Sequence, residues 1–285
     1  MKKIFCIGDF CFELLLDDRI QIPVMFQKFE VLDKSPKYFY DIEVVDELPD
    51  FSESIVTKRE DIVIGKSQVG ESRLLGVKGT LGYYAYYLEH TKDSSKIWLD
   101  KSRLEGLSID PVFTSLMALE RRMMDRNQFV LHCAYMVYKG EAILFSAPSE
   151  TGKTTQANLW EKYKGSRTVN GDRALLSFDG NQLYANGWPV CGTSEVCENE
   201  KFPVKAIVML SQEKENSIEV MKVRDAFMSL YSQITINGWN NEFINRGMDF
   251  IEKILQTVPV YHLGCTISKE AVEVLHSALE NCYEK

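Results

Sequence analysis

The period of apolar and polar positions changes once along the chain, near residue 105. Before it, short runs rich in Ile, Val, Phe and Tyr alternate with turn residues, as in DIVIGKSQVG and SRLLGVKGTLGYYAYYLEH. This two-residue texture predicts antiparallel β structure. The tyrosines at 83, 84, 86 and 87 could form a stacking platform for a ligand, but aromatic residues in strands more often pack across to a neighbouring strand. No catalytic motif lies in this stretch.

At Asp110 the pattern becomes helical. An aspartate cap and Pro111 introduce VFTSLMALERRMMDRN, which places Val112, Leu116, Leu119 and Met123 along one face and predicts a single amphipathic helix. FVLHCAYMVYKGEAILFSA then reads as two strands around the Lys139-Gly140-Glu141 turn, and the second runs into SAPSETGKTT, Ser146 to Thr155. KTTQANLWEKYK has helical spacing, so the local order is strand, loop, helix. A β pair follows around Asp179-Gly180-Asn181, then the loop NGWPVCGTSEVCENEKF and the apolar run VKAIVML. Helices are predicted over about 223–236, 241–256 and 268–283, with a strand VYHLGC between the last two. The division that results is a β-rich region over 1–105 and a second domain over 106–285.

Composition narrows the function classes. The chain has 285 residues, 45% of them hydrophobic, enough to bury a real core. A formal net charge of -8 argues against a general nucleic-acid or membrane-surface binder. Asp9 and Glu13 interrupt the opening apolar run, so no signal peptide is expected, and no stretch approaches the roughly 18 apolar residues of a membrane span. Seven cysteines, Cys6, Cys11, Cys133, Cys191, Cys197, Cys265 and Cys282, are odd in number and scattered, which favours reduced thiols and a cytoplasmic location. The four histidines do not stand with cysteines at zinc-ligand spacing.

The candidate chemistry centres on Ser146 to Thr155. A phosphate-binding loop works because backbone N–H groups, turned tightly before a helix N-terminus, converge on anionic oxygens. A lysine reaches the terminal phosphates and a hydroxyl holds Mg²⁺. Ser149, Glu150, Thr151, Gly152, Lys153, Thr154 and Thr155 would form this cradle for ATP. Ala147 stands at the first glycine position of G-x-x-x-x-G-K-[ST], which is tolerable if its φ is negative. Glu150 would repel phosphate unless its carboxylate faces solvent or a cationic substrate group. GKTT before an ordinary helix can arise by chance; the preceding strand and the loop length favour the phosphate reading.

Phosphoryl transfer also needs a carboxylate to hold Mg²⁺ or accept a proton, and Asp172 in RTVNGDRALL is the candidate, with a turn aspartate as the plain alternative. His132, on the strand before the loop strand, could assist proton transfer or simply be a core histidine. Trp188, Cys191 and Glu195 fall in a loop on the acceptor side, where Glu195 could hold Mg²⁺ or a substrate amine; an ordinary surface loop fits equally.

LHCAYMVYKGEAILFSAPSETGKTTQANLWEKYKGSRTVNGDRALL resembles the catalytic core of the HPr kinase/phosphorylase family, and its S-x-T-G-K-T-T portion is similar to phosphoenolpyruvate carboxykinases, which share that core. The resemblance covers about residues 128 to 285. It implies an α/β (α+β) fold in which the β-rich N-terminal region precedes a P-loop domain with a mixed sheet and flanking helices. It implies His132 as catalytic helper, Gly152, Lys153 and Thr154 as phosphate and Mg²⁺ cradle, and Asp172 as metal ligand or base. Lys153, Asp172 and His132 would then be the catalytic set, and Thr154 and Asp172 the metal ligands. Two departures stand out: Glu150 replaces a loop glycine, and Gly171-Asp172 replaces paired aspartates. The expected activity is an ATP- and Mg²⁺-dependent kinase acting on a hydroxyl of a peptide, protein or small serine-like molecule. The alternative is a degenerate module that binds nucleotide or presents a peptide. A carboxykinase-like lyase ranks below both.

Overall fold

A computed structural model describes residues 1–281 of the chain, and the helix predicted through residue 283, with Cys282, runs beyond them. The chain divides into two compact units, Met1–Leu119 and a second from Glu120 onward.

The first unit contains β1 (Lys2–Ile7), β2 (Phe10–Leu16), α1 (Val24–Gln27), β3 (Tyr38–Val45), β4 (Ser54–Lys58), β5 (Ile62–Lys66), β6 (Glu71–Gly76), β7 (Tyr83–Thr91), β8 (Ser94–Asp100) and α2 (Asp110–Ser115). The strands form one sheet in the order β1-β2-β3-β8-β7-β6-β5-β4. Alternate positions Phe10, Phe12, Leu14 and Leu16 of β2 and Tyr38, Tyr40 and Ile42 of β3 are buried, as a half-buried strand requires. The sheet is not wholly antiparallel as its texture predicts: β3 pairs in parallel with both β2 and β8. The long connection through α1 lets the chain cross back before β3 begins, which a hairpin could not do. Tyr84, Tyr86 and Tyr87 are buried, and Tyr86 packs 5.1 Å from the Trp98 ring, so these aromatics serve cross-strand packing.

The thiol expectation needs correction at one place. The β1–β2 register sets Cys6 opposite Cys11, and the two form a disulfide. Five residues of separation in sequence become direct opposition once the hairpin closes. Cys133, Cys191, Cys197 and Cys265 are buried thiols outside that disulfide. The single helix predicted from Asp110 is also two short ones, α2 and α3 (Leu119–Met124), because Ala118 adopts a left-handed φ of 48°. Asp110 lies inside the helix and Ile109 at its cap position.

The second unit continues with β9 (Phe129–Tyr138), β10 (Glu141–Ser146), α4 (Lys153–Lys164), β11 (Arg167–Asn170), β12 (Arg173–Asp179), β13 (Gln182–Asn186), β14 (Lys201–Gln212), β15 (Ser217–Val220), α5 (Val223–Gln233), α6 (Asn241–Thr257), β16 (Val260–Cys265) and α7 (Lys269–Asn281). Strand order is β10-β9-β12-β13-β14-β16-β15; β14 also pairs in parallel with β10, and β11 pairs β9. β9 and β14 each change partners along their length. On one edge of β9, Phe129 to His132 pair with β12 and Tyr135 to Val137 with β11, while on the other edge Cys133 to Tyr138 pair with β10; Lys201 to Pro203 of β14 pair with β13 while later residues pair with β10 and β16. This is the mixed sheet with flanking helices of an α/β (α+β) protein.

Alternation along β9 feeds two cores. Leu131, Cys133 and Tyr135 join a cluster with Leu230, Phe250 and Ile254 from α5 and α6. Ala134 and Met136 join Ala157 and Trp160 of α4 and Leu275 of α7. Among the described residues no helix is long and apolar enough to cross a membrane.

Trp160 is fully buried, and its ring lies 5.4 Å from that of Tyr138, edge on. Trp160→Ala is expected to cost about 3–5 kcal/mol by lost burial and the cavity left behind. Urea unfolding followed by circular dichroism measures it; a cost below about 1 kcal/mol would show that α4 is not anchored through this ring.

Candidate active site

The loop between β10 and α4 is tied at both ends. Ser146 Oγ donates to the His132 carbonyl at 2.8 Å, fixing the strand exit to β9. Ala147 is buried and has no positive φ, so alanine is accommodated where a glycine was expected. Gly152 caps α4 with φ 111°, a conformation that side-chain-bearing residues rarely adopt, and nothing lies within 4 Å of where its Cβ would be. No side chain caps α4, which leaves first-turn N–H groups for another acceptor. Lys153 Nζ donates to the Ala147 and Pro148 carbonyls at 3.0 and 3.2 Å, closing the loop on itself. Burial lowers the Lys153 pKa, and the Asp172 charge opposes that shift.

Glu150 departs from the pattern in a telling way. It has φ 65°, the left-handed region where glycine would carry no strain, and it is exposed. The Gln212 amide at the end of β14 donates to the Glu150 and Thr151 carbonyls at 3.3 Å each and holds the turn.

The opposing group is built on the turn between β11 and β12. Asn170 is fully buried: its Oδ1 accepts from the Asp172 and Arg173 N–H groups at 2.8 Å each, and its Nδ2 donates to the Trp188 and Val190 carbonyls at 2.8 and 3.0 Å. All four bonding positions of the amide are used. The Cys133 N–H donates to the Asp172 carbonyl at 2.9 Å, docking the turn on β9. Asp172 Oδ1 then lies 3.3 Å from His132 Nε2, and Oδ2 accepts from Arg173 Nε at 3.0 Å. Burial works to raise the Asp172 pKa, but the His132 contact and the Arg173 charge outweigh it and hold the carboxyl below its usual range. Cys133 is no nucleophile: burial, with the Asp172 charge adding to it, pushes its thiol well above its ordinary value.

One cavity of about 450 Å³ brings these groups together. His132, Ser149, Glu150, Gly152, Lys153, Thr154, Thr155, Gly171, Asp172, Cys191, Gly192, Thr193 and Ser194 line it. Thr151 does not; its hydroxyl donates to the Pro148 carbonyl at 2.9 Å inside the loop. Trp188 is buried with its carbonyl committed to Asn170 and Cys197, and Glu195 is exposed; neither lines the cavity. Gly171 packs so tightly on Ser194 that a Cβ there would lie 2.1 Å from Ser194 Oγ, so position 171 has no room for a second carboxylate. Among the described residues no three or more His, Cys, Asp or Glu side chains gather closely enough to hold a metal alone.

Asn170, Arg173, Gln212 and Gln233 carry much of this geometry and were not legible as site residues. Only the Asn-Gly pair hinted at the turn. Arg173 acts on its neighbour Asp172, but Asn170, Gln212 and Gln233 also bond partners 18 to 101 positions away, as between Asn170 and Trp188 or His132 and Gln233.

The fold and cavity define an α/β protein in which a strand–loop–helix turn faces a carboxylate–imidazole pair. The chain belongs to the family described as SynChlorMet cassette protein ScmC, whose model matches residues 99–280. The structure of the HPr(Ser) kinase/phosphatase from Coxiella burnetii is similar to this chain at 13% identity, covering 55% of this chain and 99% of that one, with a TM-score of 0.34. No curated protein matches the chain.

Two outcomes follow from the site itself. Because folding lowers the Asp172 pKa from 3.8, its ionised form stabilises the fold fully above about pH 4, and that contribution is lost as pH falls through the lowered value. The stability gap between the native protein and Asp172→Asn, from urea unfolding, is expected to be constant above about pH 5 and to shrink below about pH 4. Glu150→Gly is expected to stabilise the protein by about 0.5–1 kcal/mol, the left-handed strain removed less the added chain entropy. An equal destabilisation would mean that the Glu150 side chain itself holds the loop.

Proposed function

We propose that this chain is an ATP-dependent kinase that uses Mg²⁺ and transfers the γ-phosphoryl group to a hydroxyl. The acceptor would be a serine of a peptide or protein, or a small serine-like metabolite. A single observation carries the reading: Lys153 and Thr154, at the uncapped N-terminus of α4, share one cavity of about 450 Å³ with the Asp172–His132 pair. The sequence resemblance to the HPr kinase/phosphorylase family supports it.

The residues present fit a nucleotide and its metal. The open space over Gly152 and the free first-turn amides of α4 suit an anionic group. The Thr154 hydroxyl and Asp172 carboxylate would hold Mg²⁺, and bound Mg²⁺ neutralises charge on the phosphate oxygens. Lys153 is released from the Ala147 and Pro148 carbonyls when its ammonium meets phosphate, a stronger acceptor than a neutral carbonyl. Asp172 accepts the proton of the attacking hydroxyl, and its depressed pKa keeps it ionised for that role. His132 aligns the carboxylate through Oδ1. Of the two expected aspartates one remains, so Asp172 serves both metal and proton.

A second reading has its own support. Both Asp172 oxygens are engaged, by His132 and Arg173, and Glu150 adds negative charge to the phosphate cradle. These features also suit a module that binds nucleotide or presents a peptide without chemistry.

Dialysed protein given MgATP labelled at the γ position and serine-containing acceptors is expected to transfer label. Asp172→Asn is expected to lower transfer about 10²–10⁴-fold while keeping the nucleotide-induced rise in Tm. Lys153→Ala should lose both. A Tm rise with no labelled product from the native protein selects the binding module, and equal turnover in Asp172→Asn removes its assigned role.

A further inference from the structure

His132 has two ring nitrogens, and only one faces Asp172. The other, Nδ1, lies 3.2 Å from the side-chain oxygen of Gln233, 101 positions along the chain. Gln233 is the last residue of α5, and the backbone around it is stitched to β9 beside His132. Ile234 bridges Leu131, the Thr235 N–H donates to the Val130 carbonyl at 2.8 Å, and the Ile234 N–H closes the helix on the Leu230 carbonyl at 2.9 Å. Leu230 and Ile234 are buried in the same core as Leu131, so the end of α5 has little freedom to drift. Within the side chain, Nε2 donates to Ser232 Oγ at 3.1 Å, which turns the amide oxygen toward the ring.

We infer that Gln233 is a positioning residue for the proposed transfer: it holds the His132 imidazole in the rotation that keeps Nε2 on Asp172 Oδ1. The inference rests on the kinase reading for its consequence in turnover, though not for the contact itself. His132 lines a cavity and is only partly covered, so packing alone leaves its ring free to turn about the Cβ–Cγ bond. Two hydrogen bonds, one at each nitrogen, define the ring plane where one would define only a pivot. Gln233 does not line the cavity and touches neither Lys153 nor Thr154, so nucleotide binding should not depend on it.

The test compares the native chain with Gln233→Met, which keeps length and apolar bulk but loses the acceptor, and Gln233→Glu, which restores an acceptor at the same reach. Transfer of label from γ-labelled MgATP to the serine-containing acceptors is expected to fall about 10-fold in kcat for Gln233→Met, the lower end of the loss seen when partners that orient metal-ligating histidines are removed. KM for MgATP and the MgATP-induced Tm rise should stay within about 2-fold of native, because the phosphate cradle is untouched. Gln233→Glu should recover most of kcat. In ¹⁵N spectra of the histidine rings at one pH, the His132 Nδ1 resonance should move in Gln233→Met and return in Gln233→Glu. Native ring resonances and native kcat in Gln233→Met overturn the inference, as does a parallel loss of kcat and nucleotide binding. If the native chain transfers no label to those acceptors, the kinase reading falls by itself, and the ring resonances still decide whether Gln233 positions His132.

Discussion

The geometry of the cavity depends on one backbone constraint: β9 is paired on both edges, along one by β10 from Cys133 onward and along the other by β12 up to His132 and then by β11 from Tyr135, with the β11–β12 turn at that switch. A strand has a single row of N–H and C=O groups on each edge, so at a switch the groups must find other partners or be lost from water at a cost. Here the Cys133 N–H goes to the Asp172 carbonyl and the His132 carbonyl receives the Ser146 hydroxyl. The acidic turn and the start of the phosphate loop are therefore pinned to adjacent residues of one strand. Neither could shift by a register step without orphaning a buried polar group.

Electrostatics follow from that placement. Lys153 is buried and Asp172 partly so, and burial alone would drive both toward their neutral forms. The Asp172 charge opposes the shift on Lys153, and the His132 and Arg173 contacts decide the balance for the carboxylate. Asp172 is ionised without being free, since each oxygen already has a cationic or hydrogen-bonding partner. Each carboxylate oxygen keeps a second lone pair, so Asp172 has room to take a metal or a proton beside these partners, and the two readings of the cavity differ in whether it does so. Ser194 filling the space beside Gly171 makes the single carboxylate a built feature, because the backbone there closes tightly on the 3₁₀ turn Gly192–Ser194.

The loop shows a related compromise. Glu150 holds a backbone conformation suited to glycine, and Gln212 compensates by bonding the two carbonyls on either side of the bend. Strain of this kind persists where surrounding structure over-determines the conformation. The other end of the cavity is steadied by Asn170, whose amide joins the β11–β12 turn to the loop at Trp188 and Val190. A buried polar group with every bond made specifies one arrangement more sharply than apolar packing does.

By itself the sequence determined the local elements of the second unit. The helix KTTQANLWEKYK, the strand pair around Lys139-Gly140, the pair around Asp179-Gly180 and the strand VYHLGC all stand where their periods and turns place them, because those signals act over a few residues. It also marked the phosphate-loop candidates and Asp172 through spacing on a strand, a loop and a helix. Only the tertiary structure decided the parallel pairing of β3, the break at Ala118 and the joining of Cys6 to Cys11. It likewise decided which loop residues reach the cavity: Cys191 does, Trp188 and Glu195 do not. Those outcomes depend on which distant groups are left to satisfy once the sheet closes, and the reach of Gln233 to His132 across 101 positions has no counterpart in any local pattern.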